Sequence, residues 1–366
     1  MNHSVFVSRA RRLAASFFLI VLLCACGGDK PDAMLASARD YLAKNDPKAA
    51  VIQLKNALQN NPDLPEARYL LGLALLRGGN AVGGETELRK ALALKHPQEL
   101  VLPSLAQALL AQRQYKKLTE EFSQIELSQA AAQANLKTSM AAALAAQGKT
   151  DLSLAALKAA LQADSKYTPA RILQARVKAG QRDLEGALAI VEAVIAEAPL
   201  NPEAWQLKGD IQRNGKGNTD EALASYRKAL EVKPNFVEGH TGILITLLGK
   251  GKLDEAAKQM DLLKKVAPDE VLTKYFETLL AYQKKDFKLA RDLSQQLMKL
   301  APENPTTLQL AGAVELQVNS LKQAESYLTK GLQAAPDSAV IRRLLVDTYL
   351  RSGQLTKALA ALQPAL

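Results

Sequence analysis

Small apolar residues recur along the chain with a period of about thirty-four residues. A series of alanines keeps steps of 35, 34, 34, 34 and 34 residues, and a series of prolines keeps steps of 35, 34, 34 and 34. The alanines are Ala187, Ala222, Ala256, Ala290, Ala324 and Ala358, and the prolines are Pro199, Pro234, Pro268, Pro302 and Pro336. Because two residue types keep one period, the pattern predicts a stack of repeated units.

The composition between these positions is that of helices. Apolar residues make up 48% of the chain but aromatic residues only 5%, and alternating runs of β-branched residues are absent. A proline such as Pro234 cannot continue a helix, since it lacks the amide hydrogen, so it ends one unit. Gly209 and Ala222 are small where two helices would cross closely. Each unit is therefore predicted to be a pair of helices, and the fold class to be all-α.

The positions within one unit resemble the tetratricopeptide repeat. Its pattern is Trp-x2-Leu-Gly-x2-Tyr, then Ala-x3-Phe, then Ala and Pro. The residues that match it best are Trp205, Gly209, Ala222, Tyr226, Ala229 and Pro234. The resemblance implies a right-handed superhelical solenoid of about ten helical hairpins over residues 31–366, with degenerate copies near 99–167. The chain stops inside the second helix of the tenth copy, so we expect an incomplete C terminus.

The N-terminal segment has the parts of a secretory signal. Three arginines precede the apolar run Leu13–Leu23, which is too short to span a bilayer. The sequence Leu-Cys-Ala-Cys at residues 23–26 resembles the lipobox of bacterial lipoproteins. This predicts a signal peptide over 1–25, lipidation of Cys26, and a lipid-anchored tether over 26–30. Gly27 after the cysteine favours the outer membrane of a Gram-negative envelope, facing the periplasm. An ordinary signal peptide with an incidental cysteine is the alternative.

The segment 36–92 carries a closer resemblance. It is similar to the start of the PrsT-type tetratricopeptide lipoproteins, which belong to the PEP-CTERM/exosortase (XrtA) system of Gram-negative bacteria. The resemblance implies an envelope scaffold associated with exopolysaccharide production or export. Its partners would be other envelope proteins of the secretion machinery and the membrane through acylated Cys26, with polysaccharide as a further possible ligand.

Residues suited to catalysis or metal binding are sparse. His96 and His240 are the only histidines outside the signal segment, and neither has a second ligand at metal-binding spacing. Gly148-Lys149-Thr150 lacks the earlier glycine of a phosphate loop, because Ala143 stands in its place. Three positive charges of the net +10 are the arginines of the signal segment, and the other bases are spread singly along the helices, which does not favour nucleic acid. We expect no enzyme, no cofactor, no metal and no nucleic acid.

The repeat resemblance also implies where a partner binds. In this family the first helix of each hairpin lines a concave groove through its second, fifth, ninth, twelfth and thirteenth positions. The candidate partner-binding residues at these positions are Tyr69, Arg77, Arg176, Gln206, Asp210, Arg213, Tyr275, Tyr282, Gln309 and Arg343. Tyrosine and arginine suit interface hot spots. The groove asparagine that chaperone-binding relatives use for acidic C-termini is replaced, which predicts an extended segment or a glycan as ligand.

Three functions stay open from the sequence. The first is a lipid-anchored scaffold that mediates protein–protein interactions in polysaccharide secretion. The second is a periplasmic protein that binds glycan directly through the same groove. The third is the N-terminal substrate arm of an enzyme whose catalytic domain lies beyond this chain.

Overall fold

The structure is a computed structural model that describes residues 31–215 and 217–362. Within these residues every regular element is an α-helix, and twenty helices alternate as the first and second helices of successive hairpins. The predicted signal peptide, Cys26 and the tether lie outside the described residues. The all-α class and the count of about ten hairpins are confirmed.

The helices form two compact units, which divide between Val177 and Lys178. Unit 1 contains α1 Pro31–Ala43, α2 Pro47–Asn60, α3 Pro65–Arg77, α4 Ala81–Ala93, α5 Gln98–Ala111, α6 Tyr115–Glu121, α7 Ala130–Ala146, α8 Thr150–Ala163 and most of α9 Thr168–Gly180. Unit 2 contains α10 Leu184–Glu197, α11 Pro202–Gly215, α12 Thr219–Val232, α13 Val237–Gly249, α14 Leu253–Val266, α15 Val271–Gln283, α16 Phe287–Leu300, α17 Pro305–Gln317, α18 Leu321–Ala334, α19 Ala339–Arg351 and α20 Leu355–Leu362.

Every first helix ends in the same left-handed turn. The residue two positions after its end has a positive φ, and these residues are Asn45, Gly79, Arg113, Gly148, Arg182, Gly217, Gly251, Lys285, Asn319 and Gly353. After α15, for example, the amide of Asp286 donates to the carbonyl of Ala281 at 3.0 Å. This turn satisfies carbonyls that the helix end leaves open, so it fixes where the second helix begins.

The helices of a hairpin pack closely through small residues. A Cβ at Gly209 on α11 would lie 2.6 Å from the ring of Tyr226, and a Cβ at Gly242 on α13 would also lie 2.6 Å from it. The fully buried Tyr226 on α12 is thus held between two glycines on neighbouring first helices. Leu88 fills the corresponding space against Gly72, and Leu328 fills it against Gly312.

The third copy departs from the repeat, as its weak sequence match suggests. Helix α6 has only seven residues, and α5 contains Pro103 in its interior. Helix α7 begins at Ala130, four residues before the boundary that the period places at 134. The segment before α7 is held by Lys137, whose buried ammonium lies 2.7 Å from a carboxylate oxygen of Glu126.

Candidate functional site

The second, fifth, ninth and twelfth residues of a first helix lie on one side of that helix, since they are spaced by three, four and three residues. In unit 2 we call these residues of α11, α13, α15, α17 and α19 the groove face. They are Glu203, Gln206, Asp210, Arg213, Glu238, Thr241, Ile245, Leu248, Leu272, Tyr275, Leu279, Tyr282, Thr306, Gln309, Ala313, Leu316, Val340, Arg343, Asp347 and Leu350. First helices of neighbouring hairpins contact each other, as α11 does with α13 and α17 does with α15 and α19.

Three of the predicted residues meet on α11. Asp210 accepts a hydrogen bond from the hydroxyl of Tyr226 at 2.7 Å and another from the side-chain amide of Gln206. The guanidinium of Arg213 lies 3.5 Å from the Asp210 carboxylate and 5.9 Å from the centre of the Tyr226 ring. Burial, and then the hydrogen bond to Asp210, raises the pKa of the Tyr226 phenol. These side chains form a polar cluster in which other groups of the protein already balance the negative charge of the Asp210 carboxylate.

One guanidinium nitrogen of this cluster is unsatisfied. Arg213 donates from Nε to the side chain of Asn214 at 3.1 Å, while its buried Nη1 has no hydrogen-bond partner among the described residues. A guanidinium can donate five hydrogen bonds. Arg213 therefore has one donor that is buried within the cluster and has no partner there.

Two predicted tyrosines share the face of α15. Tyr275 and Tyr282 are half-buried and pack edge-on against Phe276 and Phe287, with ring centres 5.4 and 5.8 Å apart. Burial raises the pKa of the Tyr275 phenol. The amide of Gln317 on the next first helix lies 3.5 Å from the Tyr282 hydroxyl. The tyrosine face of α15 thus continues onto α17.

The other predicted residues of unit 2 are more open. Gln309 is half-buried on α17, and Arg343 is exposed on α19. The carboxylate of Asp347, one turn beyond Arg343, is paired with Arg351 at 2.9 Å. Arg343 therefore projects a positive charge that has no ionic partner within the described residues.

In unit 1 the predicted residues are dispersed, and two of them serve the fold. Tyr69 stacks on His96 with ring centres 4.8 Å apart, and Arg77 donates to the carbonyl of Leu42 at 3.0 Å. Burial lowers the pKa of the His96 imidazole. Arg176 is exposed on α9, six helices along the chain from Tyr69. The structure does not gather these three residues into one cluster, and their role in binding stays a prediction.

Sequence reasoning missed the apolar members of the groove face. Ile245, Leu272, Val340 and Leu350 are exposed, although a leucine or isoleucine in an amphipathic helix is ordinarily assigned to the core. The signal for them was their position in the repeat, because each falls at the second, ninth or twelfth residue of a first helix.

Groups suited to metal binding are absent from the described residues, in which no three His, Cys, Asp or Glu side chains are placed to hold an ion. His240 is buried, with Nε2 2.9 Å from the carbonyl of Pro234 and Nδ1 2.6 Å from the Gln259 amide, so it is a core residue.

Across residues 31–215 and 217–362, none of the helices combines the length and apolar character needed to cross a membrane.

Comparison with known families follows the helical pattern. Models described as tetratricopeptide repeat match residues 35–98, 144–211, 202–236 and 315–366, together more than half of the chain. The chain therefore belongs to the tetratricopeptide-repeat proteins, a class of scaffolds for protein–protein interactions that is typically non-catalytic.

Individual relatives are distant. The chain is 26% identical to the type IV pilus assembly protein PilF of Pseudomonas aeruginosa over 154 residues, which are 41% of this chain and 59% of PilF. A tetratricopeptide repeat protein from Parabacteroides merdae has a similar structure, with a TM-score of 0.50, 17% identity, and coverage of 88% of this chain and 99% of that one. PilW, a type IV pilus biogenesis factor, gives a TM-score of 0.48 and 20% identity over 53% of this chain and 91% of its own.

Proposed function

We propose that this chain is a lipid-anchored scaffold of the bacterial envelope that captures partner proteins on the groove face of unit 2. The observation that carries the proposal is the half-buried pair Tyr275 and Tyr282 on one side of α15, continued onto α17 through Gln317. Tyrosine offers a large contact area and a polar tip at a low cost in conformational entropy, which suits a protein interface.

The envelope setting is supported by two independent features. The LCAC letters at 23–26 resemble a lipobox and would place acyl chains on Cys26. PilF, which this chain matches over 154 residues, is named as a type IV pilus assembly protein. Both support a role in building a multi-protein envelope assembly. We assign that assembly to exopolysaccharide production or export on the resemblance of segment 36–92 to the PrsT-type lipoproteins of PEP-CTERM systems.

Crosslinking from the groove face tests this function. A photoreactive phenylalanine analogue replaces Tyr282, and a matched control replaces Tyr327, which is also half-buried but lies on the second helix α18. In living cells we expect a discrete protein adduct from position 282 and none from 327. Protein adducts from position 327 alone would indicate that the second helices form the binding surface. Adducts with polysaccharide alone would indicate that the chain binds glycan.

The exopolysaccharide assignment has its own readout. Tyr282→Ala should lower both the crosslinkable complex and the amount of secreted polysaccharide, whereas Tyr327→Ala should leave both unchanged. A melting curve for each variant checks that unit 2 stays folded. If secreted polysaccharide is unchanged in cells that lack the gene, the scaffold serves a different envelope assembly.

A further inference from the structure

The two units differ in what their first helices expose. Among the described residues, the first helices of unit 2 expose the large apolar residues Ile245, Val271, Leu272, Val340 and Leu350. The first helices of unit 1 expose one such residue, Leu100 on α5. Exposed apolar side chains that cluster on one surface mark an interaction site more often than scattered ones do.

Four of these five residues belong to the groove face. The exposed fractions are 43% for Ile245, 44% for Leu272, 45% for Val340 and 52% for Leu350. On α15 the apolar surface is continuous, because Leu272, Tyr275, Leu279 and Tyr282 follow one another at spacings of three and four residues. Tyr275 and Leu279 pack both on the cluster that contains Leu248 and on the one that contains Val314. The middle helix of the groove face, α15, is therefore apolar, and its side chains pack against residues of α13 and α17.

The unpaired charged residues of the groove face lie toward its two ends. Glu203 on α11 and Glu238 on α13 are exposed and have no ionic partner in the part of the chain that the structure describes. Arg343 on α19 is likewise exposed and unpaired there. The remaining charges are compensated, since Asp210 pairs with Arg213 at 3.5 Å and Asp347 pairs with Arg351 at 2.9 Å. The face is acidic at α11 and α13, apolar in the middle and basic at α19.

We propose that the groove face of unit 2 binds a protein segment whose centre is apolar and whose ends carry opposite charges. A basic side chain of the segment meets Glu203 and Glu238, and an acidic side chain at its other end meets Arg343. The inference rests on the proposed function and adds the chemistry of the partner. Complementary charges at the ends also fix the direction in which the segment lies.

The spacing of the helices suits an extended segment. Packed helices lie about 8–10 Å apart. A segment in the extended polyproline II conformation has three residues per turn and advances about 3.1 Å per residue, so every third side chain lies on the same face. Side chains three residues apart in the segment therefore advance by about one first helix. A partner with leucine-like residues at every third position would place them on successive members of the groove face.

Synthetic peptides of about fifteen residues test the proposal on the full chain. Each has leucine at every third position, lysine at one end and glutamate at the other, with serine and glutamine elsewhere, and both orders of the charged ends are made. We expect one order to bind, and to bind at least about tenfold more tightly than its counterpart with serine in place of leucine. If neither order binds, the proposal is overturned.

Variants separate the apolar and charged parts of the site. Ile245→Ser with Leu350→Ser should weaken peptide binding by about tenfold, whereas Leu262→Ser with Leu289→Ser should not change it. Leu262 and Leu289 are comparable controls, because they are 46% and 47% exposed but lie on second helices. Arg343→Glu should weaken binding of the original peptide and improve binding of the peptide with lysine at both ends. Equal losses in both double variants would overturn the site.

The remaining outcomes distinguish this proposal from the proposed function. If the peptides fail but crosslinking from position 282 still yields a protein adduct, only the partner chemistry is wrong. If both fail, the groove face is not the scaffold's binding surface. If sedimentation shows a dimer that Ile245→Ser with Leu350→Ser dissociates, the occupant is a second copy of this chain, which overturns the proposal.

Discussion

Single residues in the turns after the first helices determine how each hairpin closes. Seven of the ten left-handed positions carry glycine or asparagine, which adopt this conformation at little steric cost. Arg113, Arg182 and Lys285 have φ values of 56°, 69° and 62° at the same position of their turns. For these three side chains the left-handed backbone is strained, because their Cβ crowds the following carbonyl.

Lys285→Gly should therefore stabilise unit 2. We expect the free energy of unfolding to rise by about 1 kcal/mol, the steric cost of the left-handed region less the entropy that glycine adds to the unfolded chain. Urea unfolding followed by circular dichroism measures it. The reverse change is Gly251→Ala, at a φ of 68°. The added Cβ meets no atom within 4 Å, so only the strain of the left-handed backbone acts, and it should destabilise the protein by a similar amount. Destabilisation by Lys285→Gly would show that its side chain contributes more than the turn strain removes.

Close packing at Gly209 gives a second prediction at this scale. Gly209→Leu should lower the free energy of unfolding by roughly 1–3 kcal/mol through overpacking, because its Cβ would already lie 2.6 Å from the Tyr226 ring. Tyr226 cannot move away, since Gly242 touches the ring in the same manner. Gly249→Ala is the control: nothing lies within 4 Å of that Cβ. A neutral Gly209→Leu would mean that α11 and α12 separate easily.

At the scale of helices, the sequence predicts most of the architecture. Prolines mark the ends of second helices, and the period places the first helices of unit 2 correctly. The third copy is where the period fails, because α6 has seven residues and α7 starts four residues early. At that boundary the buried Lys137 on α7 pairs with Glu126 in the preceding segment, a contact between segments that a local pattern does not encode. Helix packing, not propensity, decides the boundary there.

Glu85 ties three helices of unit 1 together. Its carboxylate on α4 accepts from Gln112, the residue after α5, at 2.8 Å, from Lys117 on α6 at 2.7 Å and from Arg89 on α4 at 2.9 Å. Burial alone would raise the pKa of Glu85, but these hydrogen bonds outweigh it and lower the pKa from 4.5 to about 2. A carboxylate with a lowered pKa stabilises the fold above its ordinary pKa, and that contribution is lost as the pH falls toward the folded-state value.

Glu85→Gln should accordingly remove a pH-dependent part of stability. We expect the variant to be less stable than the parent above pH 4.5, with the difference shrinking as the pH falls toward about 2. Urea unfolding of both proteins across this range measures it. Glu120→Gln is the control, since Glu120 is exposed and its nearest ammonium, on Lys116, is 3.8 Å away. A difference that stays constant with pH would show that Glu85 acts through packing alone.

At the scale of the whole molecule, the repeat positions predicted which helices line the candidate site but not how each side chain is used. Asp210 and Arg77 fall at groove positions, yet the structure engages them with Tyr226 and with a backbone carbonyl. Such contacts depend on the register between neighbouring helices. Likewise, only its position in the repeat, and no local pattern, separates the exposed Ile245 from a buried core residue. The chemistry of the surface emerges only when the hairpins stack.

The proposed attachment to the membrane would be a property of the whole chain and would rest on one residue, Cys26, outside the described part. Four residues, 27–30, separate it from α1. At about 3.5 Å per residue, the first hairpin would start within roughly 15 Å of the anchor. Multiple acyl chains hold a protein on a membrane stably where one chain does not.

Cys26→Ser should therefore remove the lipid and change where the protein is found. We expect radiolabelled fatty acid to be incorporated into the parent and not into the variant, which would be released in soluble form or accumulate as an uncleaved precursor. Cys24→Ser is the matched control and should still take up label, since Leu23 stands before Cys24 where acylation needs a small residue. Label in the Cys26→Ser protein would contradict the lipobox assignment. If the Cys26→Ser protein is soluble and folded but a photoreactive residue at position 282 no longer gives a protein adduct, the scaffold works only when it is held at the membrane.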